Sequence, residues 1–447
     1  MQDNMILRPL DPGEAFFYLS DHVSCMNFVV LAERRGHLQP ERIRQALDAI
    51  QLKHQLLQAR IRWTEEDGLC FVHAPGQVIE LHCHTVTADN WQTCIEDQLS
   101  HPFAEGAAPL MRCLYLELAG PDDGADSAGR SVLALSFHHS IGDGRSGTHL
   151  LQGLLAHIAT GTTAHASAAA TALPAMVDVH PPRYRWAEQP EAAKQLKYAL
   201  MGDYRRHGPL PTIPWLASEA SGRTPRFVRL RLPADVTRGL ITLARQHGTS
   251  VHGALCAAQL MAQYKLQTAT DPVAYFLSCP VDMRAHLEPV QPVTPTGLFV
   301  SLIAGTYLVS ADTDLWALAR EVITQTRLQL ARGEGHLLFN LYGLDGSLIA
   351  PSHLAPFRKK ALASLPNTMI SNVGAVAEVA DDPAVDAISF ALCPMPYQTL
   401  FTAASSYKDQ LILNVGFDAQ RLSEANAHAL VDGIRTLLLA AVTDTRP

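Results

Sequence analysis

The stretch "LALSFHHSIGDGRSG", Leu133 to Gly147, decides how the chain is read: an apolar run ends in two histidines, followed by an aspartate flanked by glycines. Histidine titrates near neutrality, so a pair at the end of a buried strand is costly unless bonded or used. An alternating apolar strand, a glycine-containing turn and a following helix ("RSGTHLLQGLLAHIAT") form a setting that presents side chains at a cavity. A neutral imidazole at His139 suits a general base that takes a proton from a hydroxyl or amine attacking a carbonyl. Asp143 has two roles open to it: orienting the imidazole directly, or pinning the loop by pairing with a distant cation. Gly144 lets the backbone approach closely, as an oxyanion-binding amide requires. Against this stands a plainly structural, hydrogen-bonded pair at His138 and His139, and the company of Asp143 and Gly144 weighs against it. No G-x-S-x-G elbow supports a serine hydrolase.

The rest of the chain bounds the possibilities. Its 447 residues, 47% hydrophobic and 17% charged, describe a globular protein of two to three structural units. A net charge of −8 argues against nucleic acid as the main partner. The N-terminal "MQDNMILRPLDPGEAFFY" does not read as a signal peptide, and no run reaches the roughly eighteen apolar residues of a membrane span. A cytoplasmic location is expected. The 8 cysteines form no C-x-x-C pair, which suits reduced thiols. "LHCH" (Leu81 to His84) lacks a second ligand cluster, so no metal is expected.

Strands and helices mix along the whole chain. "NFVVLAE" from Asn27 feeds an amphipathic helix in "LQPERIRQALDAIQLKHQLLQARI", with Ile43, Ala46, Leu47 and Ile50 at helical spacing. Strands are expected at "CFVHA", "VIELHCHTV", "LMRCLYLELAG", "RFVRLRLP", "VAYFLSCPVDMRAHL", "LFVSLIAGTYLV", "TMISNVG" and "LILNVGFD". Helices are expected at "NWQTCIEDQLSHPF", after Thr249 or Ser250 as a cap, around Trp316 to Leu330, and from Ser423. "GPDDGADSAGR" (Gly120 to Arg130) reads as a loop and "GTTAHASAAATALPA" (Gly161 to Ala175) as a connector, setting the expected boundary between residues 1–178 and 179–447.

"HHSIGDG" resembles the signature of the thioester-dependent acyltransferase superfamily, which includes chloramphenicol acetyltransferase, plant BAHD acyltransferases, nonribosomal peptide condensation domains and PapA-type acyltransferases. "ALDAIQLKHQLLQARI" is similar to the superfamily's first helix, "GTSVHGALCAAQLMA" and "PVDMRAHL" followed by "TGLFVS" to its second half, and "ISNVG" to a late strand. The resemblance implies an α+β protein of two chloramphenicol-acetyltransferase-like halves, mixed sheets flanked by helices, with a tunnel at their interface. It implies that His139 is the base, that His138, Asp143 and Gly144 complete the motif, that Asp143 is structural, and that Arg284 in "PVDMR" is its partner. Ser371 and Asn372 are candidate oxyanion or substrate contacts, with an equally credible role as plain strand residues.

The BAHD D-F-G-W-G motif is absent, the nearest late strand reading "NVGFDAQ", and a free-standing PapA-like or condensation-like enzyme fits best. The expected reaction moves an acyl group from an acyl-CoA or a phosphopantetheine carrier thioester to an alcohol, with no permanently bound cofactor and a monomeric state. An amine acceptor, or a catalytically idle scaffold that binds carrier proteins, remains open. Cationic stretches at Arg183, Arg185, Lys194, Lys197, Arg205 and Arg206, and at Arg358 to Lys360, suit either solvated surface or contact with phosphate or an acidic carrier protein.

Overall fold

A computed structural model describes residues 5–119, 129–161, 174–185, 190–207, 223–267, 270–294, 296–338, 349–364 and 366–443. The loop read at Gly120 to Arg130, apart from its last two residues, and the connector, apart from Gly161, Pro174 and Ala175, lie outside this range, as does the side chain of Arg205.

In chain order the described elements are β1 (Ile6–Pro9), α1 (Pro12–Asp21), β2 (Asn27–Arg35), α2 (Pro40–Lys53), β3 (Ala59–Thr64), β4 (Gly68–His73), β5 (Glu80–Thr87), α3 (Trp91–Ser100), β6 (Met111–Ala119), β7 (Arg130–His138), α4 (Gly144–Thr160) and α5 (Pro190–His207). There follow β8 (Pro225–Leu232), α6 (Ala234–Gln246), α7 (Val251–Leu266), β9 (Val273–Asp282), β10 (Val300–Val309), α8 (Leu315–Ala331), α9 (Glu334–Leu337), α10 (Leu354–Leu362), β11 (Asn367–Ala375), β12 (Val385–Leu392), β13 (Gln398–Tyr407), β14 (Gln410–Asp418) and α11 (Glu424–Thr443).

Two mixed sheets dominate. One has the order β12-β2-β7-β6-β5 and the other β10-β9-β11-β13-β14-β8, while β1, β4 and β3 form a small third sheet. The motif strand β7 lies at the centre of the first, paired antiparallel with β2 and β6. It reads as a near-continuous apolar run because both faces are covered: Leu133, Leu135 and Phe137 enter the large core, while Val132 and Ala134 face Ile95 and Leu99 of α3.

The sequence boundary at 178/179 falls in a short turn, Met176–Val179, tied by Val177 N–H to Asp11 Oδ2 and by the Val179 carbonyl to Glu288 N–H. The sheets do not respect that division. β12, late in the chain, pairs antiparallel with β2 and completes the first sheet, and Arg229 on β8 forms an ion pair with Glu33 on β2.

Several elements depart from the sequence reading. The first amphipathic helix stops at Lys53, and "ARIRWT" is strand β3; the alternating Ala59 and Ile61 pack inward, a period-2 pattern too short to stand out. β12 and β13 were not expected, because "VDAISFAL" and "QTLFTAASSY" are rich in small residues of low strand propensity. Of the two candidate caps, Ser250 caps α7 by accepting from Gly253 N–H, whereas the Thr249 hydroxyl donates to Ala319 O at 2.8 Å.

Candidate functional site

The motif turns sharply where β7 gives way to α4. Asp143 is the N-cap: its Oδ1 accepts from Ser146 N–H at 2.9 Å, and the Ser146 hydroxyl returns the bond to the cap backbone. The 17-residue helix therefore starts at Gly144, directly after the histidine turn, and aims its positive end at the cavity wall that Gly144 helps to form. Two glycines sit where a Cβ would be crowded rather than where the torsions are unusual. A Cβ on Gly147 would lie 2.8 Å from Phe28, and one on Gly144 would lie 3.1 Å from Val373.

The two histidines are buried and hold opposite tautomers. His139 Nδ1 lies 2.9 Å from Gly142 O, and since a carbonyl only accepts, that nitrogen carries the proton. Its Nε2 is thus the basic nitrogen. The ring stacks on Phe17 with centroids 3.8 Å apart and tilts against Phe28, so burial drives its pKa down to about 4 and the imidazole is neutral at pH 7. His138 is arranged the other way: its Nδ1 accepts from Ser140 N–H at 3.2 Å, leaving Nε2 protonated, and burial lowers its pKa as well.

Different cavities meet the two rings. His139 borders one of about 60 Å³, walled by Phe16, Phe17, Met26, Phe28, Met369 and Phe401 among others, with Gly144 and Ser371 also on its surface. His138 borders one of about 320 Å³, shared with Tyr18, Asp21, Phe103, Glu105 and Arg223.

Asp143 points away from the imidazole ring's Nδ1, into an ionic latch. Its Oδ2 accepts from Arg284 Nη2 at 2.9 Å and from Phe299 N–H at 2.9 Å. Burial works to raise this carboxyl, but Arg284 and the two amides override it and hold it below the usual range. Arg284 also donates to Asp282 Oδ1 at 2.9 Å and Gly297 O at 3.3 Å, and Asp282 in turn receives Arg145 at 2.9 Å. "TGLFVS" acts as the strap: Thr296 N–H donates to His54, Gly297 O accepts from Ser146 and Arg284, and Phe299 N–H reaches Asp143.

With this geometry in hand, the chain can be set beside known proteins. A family model described as phthiocerol/phthiodiolone dimycocerosyl transferase C-terminus matches residues 221–393. The phthiocerol/phthiodiolone dimycocerosyl transferases of Mycobacterium leprae and Mycobacterium tuberculosis are 26% and 23% identical over 340 and 339 residues, 73% of this chain and 74% of each of theirs. Polyketide synthase associated protein 5 from Mycobacterium tuberculosis has the same fold, with a TM-score of 0.67 at 16% identity over 100% of both chains. The chain is thus similar to PapA-type acyltransferases over much of its length and shares the condensation-like fold. Those relatives are named as transferases. Trichothecene 15-O-acetyltransferase from Fusarium sporotrichioides shares the architecture at a TM-score of 0.70, 15% identity, 97% of this chain and 95% of that one.

His138, His139, Asp143 and Gly144 share one turn, Arg284 reaches it through Asp143, and Ser371 lines the same cavity as His139, Asp143 and Gly144. Asn372, next along β11, turns its side chain elsewhere and accepts from Gly374 N–H at 2.8 Å. The cationic stretches engage local partners in part: Lys194 pairs with Glu191, Arg185 bonds the Asp178 carbonyl, and Arg183 stacks on Tyr184.

Helix α1 is the feature that the sequence reading missed. Its Phe16 and Phe17 wall the His139 cavity, and Glu14 O accepts from the Ser140 hydroxyl at 2.8 Å. The signal was present as Asp11-Pro12-Gly13-Glu14, a capping box with proline at the helix start, ahead of an apolar run.

Proposed function

We propose that this protein transfers an acyl group from a thioester, carried by CoA or by a carrier-protein phosphopantetheine, to the hydroxyl of an alcohol, giving an ester and a free thiol. One observation carries the reading: with Nδ1 committed to Gly142 O, His139 presents a neutral, unprotonated Nε2 to an apolar chamber. Nε2 takes the hydroxyl proton as the oxygen attacks the thioester carbonyl. The imidazolium that forms is steadied by the Gly142 carbonyl and by the charge of Asp143, both of which favour the protonated ring. The tetrahedral oxyanion faces the start of α4, where the Gly144 amide, helped by the Ser371 hydroxyl, offers donors. Collapse expels the thiolate, which recovers the proton from His139.

The relatives named as dimycocerosyl transferases support ester formation in lipid assembly. The chamber supports an aliphatic acyl group, since Met26, Met369 and Met395 line it and methionine re-packs around irregular apolar chains. Mass spectrometry of products from acyl-CoA, acyl-carrier-protein and acyl-N-acetylcysteamine donors, each with alcohol and amine panels, tests this. Esters that vanish in His139→Ala are expected. Amides alone would shift the reading to condensation on an amine. Inertness with every donor and acceptor would favour a carrier-protein-binding scaffold.

A further inference from the structure

In the second half, away from the histidine motif, three side chains of metal-ligating chemistry converge. His252 and Cys256 lie one turn apart on the same face of α7, and Cys279, 23 residues beyond Cys256, reaches them from β9. Cys256 Sγ is 3.6 Å from His252 Nε2 and 4.0 Å from Cys279 Sγ, and all the ligand atoms lie within 4.8 Å of one another. Both sulfurs are buried, while His252 is half-buried at the margin of the cluster.

These separations can be set against a tetrahedral ion. Zinc bonds of about 2.3 Å to sulfur and about 2.05 Å to nitrogen, at tetrahedral angles, place two sulfurs about 3.8 Å apart and a sulfur and a nitrogen about 3.6 Å apart. The observed 4.0 and 3.6 Å lie close to these values, and the remaining His252–Cys279 pair lies within 4.8 Å. Cysteine is a common small core residue, yet an imidazole nitrogen between two thiols is not apolar packing.

The geometry points to a thiophilic metal site at His252, Cys256 and Cys279, taking a zinc-like divalent ion. Such an ion would staple α7 to β9. Because Asp282 and Arg284 follow Cys279 on the same segment, it would also stiffen the strand that carries half of the ionic latch.

The test uses the full chain, reduced and stripped with chelator, and titrated with Co²⁺ and then Zn²⁺. One equivalent of Co²⁺ should give thiolate-to-cobalt charge-transfer absorption that Zn²⁺ displaces, and Zn²⁺ should raise the thermal midpoint. Cys256→Ala and Cys279→Ala should abolish the absorption. Cys83→Ala, which removes the exposed thiol of His82-Cys83-His84, should retain it. X-ray absorption of the zinc-loaded unmodified protein should show two sulfur neighbours and needs no variant to fold. Absence of the charge-transfer band, its survival in Cys279→Ala, its loss in Cys83→Ala, or a zinc shell without sulfur would each overturn the assignment.

Discussion

His139 and Asp143 leave the same turn, four residues apart, and end in opposite surroundings. The imidazole stacks between phenylalanines with one nitrogen uncommitted, whereas the carboxylate is met by a guanidinium and two backbone amides. The difference teaches how one loop serves two purposes. A base needs a lone pair that no protein group satisfies, and a buried charge needs every lone pair satisfied. Placing both on one turn lets the satisfied member hold the unsatisfied one still.

The largest expected effect is on the apolar side. His139→Ala should cut kcat/KM by about a hundred- to ten-thousandfold while costing less stability than either latch variant. Retention of half the wild-type turnover by the folded variant, with chemistry rate-limiting, would remove His139 as the base.

On the ionic side the loss should be of stability. Arg284→Ala should cost about 3–5 kcal/mol, since it strands the buried Asp143 carboxylate, and Asp143→Ala should cost less, because Arg284 keeps Asp282 and the Gly297 carbonyl. The double variant should lose much less than the sum. Denaturant unfolding of the four species measures the coupling, and strictly additive losses would mean that the latch does not act as a unit.

Acid should separate the two regions as well. His139, His54 and His180 are held down to about 4, and His336 to about 3, in each case first by burial. The unfolded chain takes up these protons near pH 6.5 and the folded one does not, so stability should fall as pH drops from about 6.5 to about 4. Asp11, raised to about 6 by burial and by Glu14, works in reverse, as do Glu96, Glu321, Glu334 and Asp418, each raised first by burial, while the lowered His138, His149 and His157 add to the histidine side. The acid limb of kcat/KM should follow the folded His139 near 4, and a limb near 6.5 would show a ring in contact with water.

The smallest contrast lies one residue apart on β11. Asn372→Ala should leave turnover within about twofold, because its side chain serves a turn worth about 1 kcal/mol. Ser371→Ala should slow the acyl transfer by about tenfold or more if its hydroxyl meets the oxyanion. Equal effects in steady-state kinetics would erase the distinction that their facing directions suggest.

Local sequence determined the parts of this site that depend on neighbours along the chain. The apolar run of β7, the Asp143 cap, the close-packed glycines and the start of α4 are all contained in fifteen consecutive residues, because strand burial, capping and helix initiation act over a few positions. The partnership of Arg284 with Asp143 was legible only through family resemblance; spacing alone says nothing about a contact across 141 residues. Tertiary structure decided the rest. It brought α1 over His139, carried β12 back into the first sheet, turned Asn372 away from the cavity, and gathered His252, Cys256 and Cys279 from a helix and a strand. Each of these depends on which faces of distant elements pack together, and that is set by the collective burial of apolar area, a quantity that no short stretch of chain encodes.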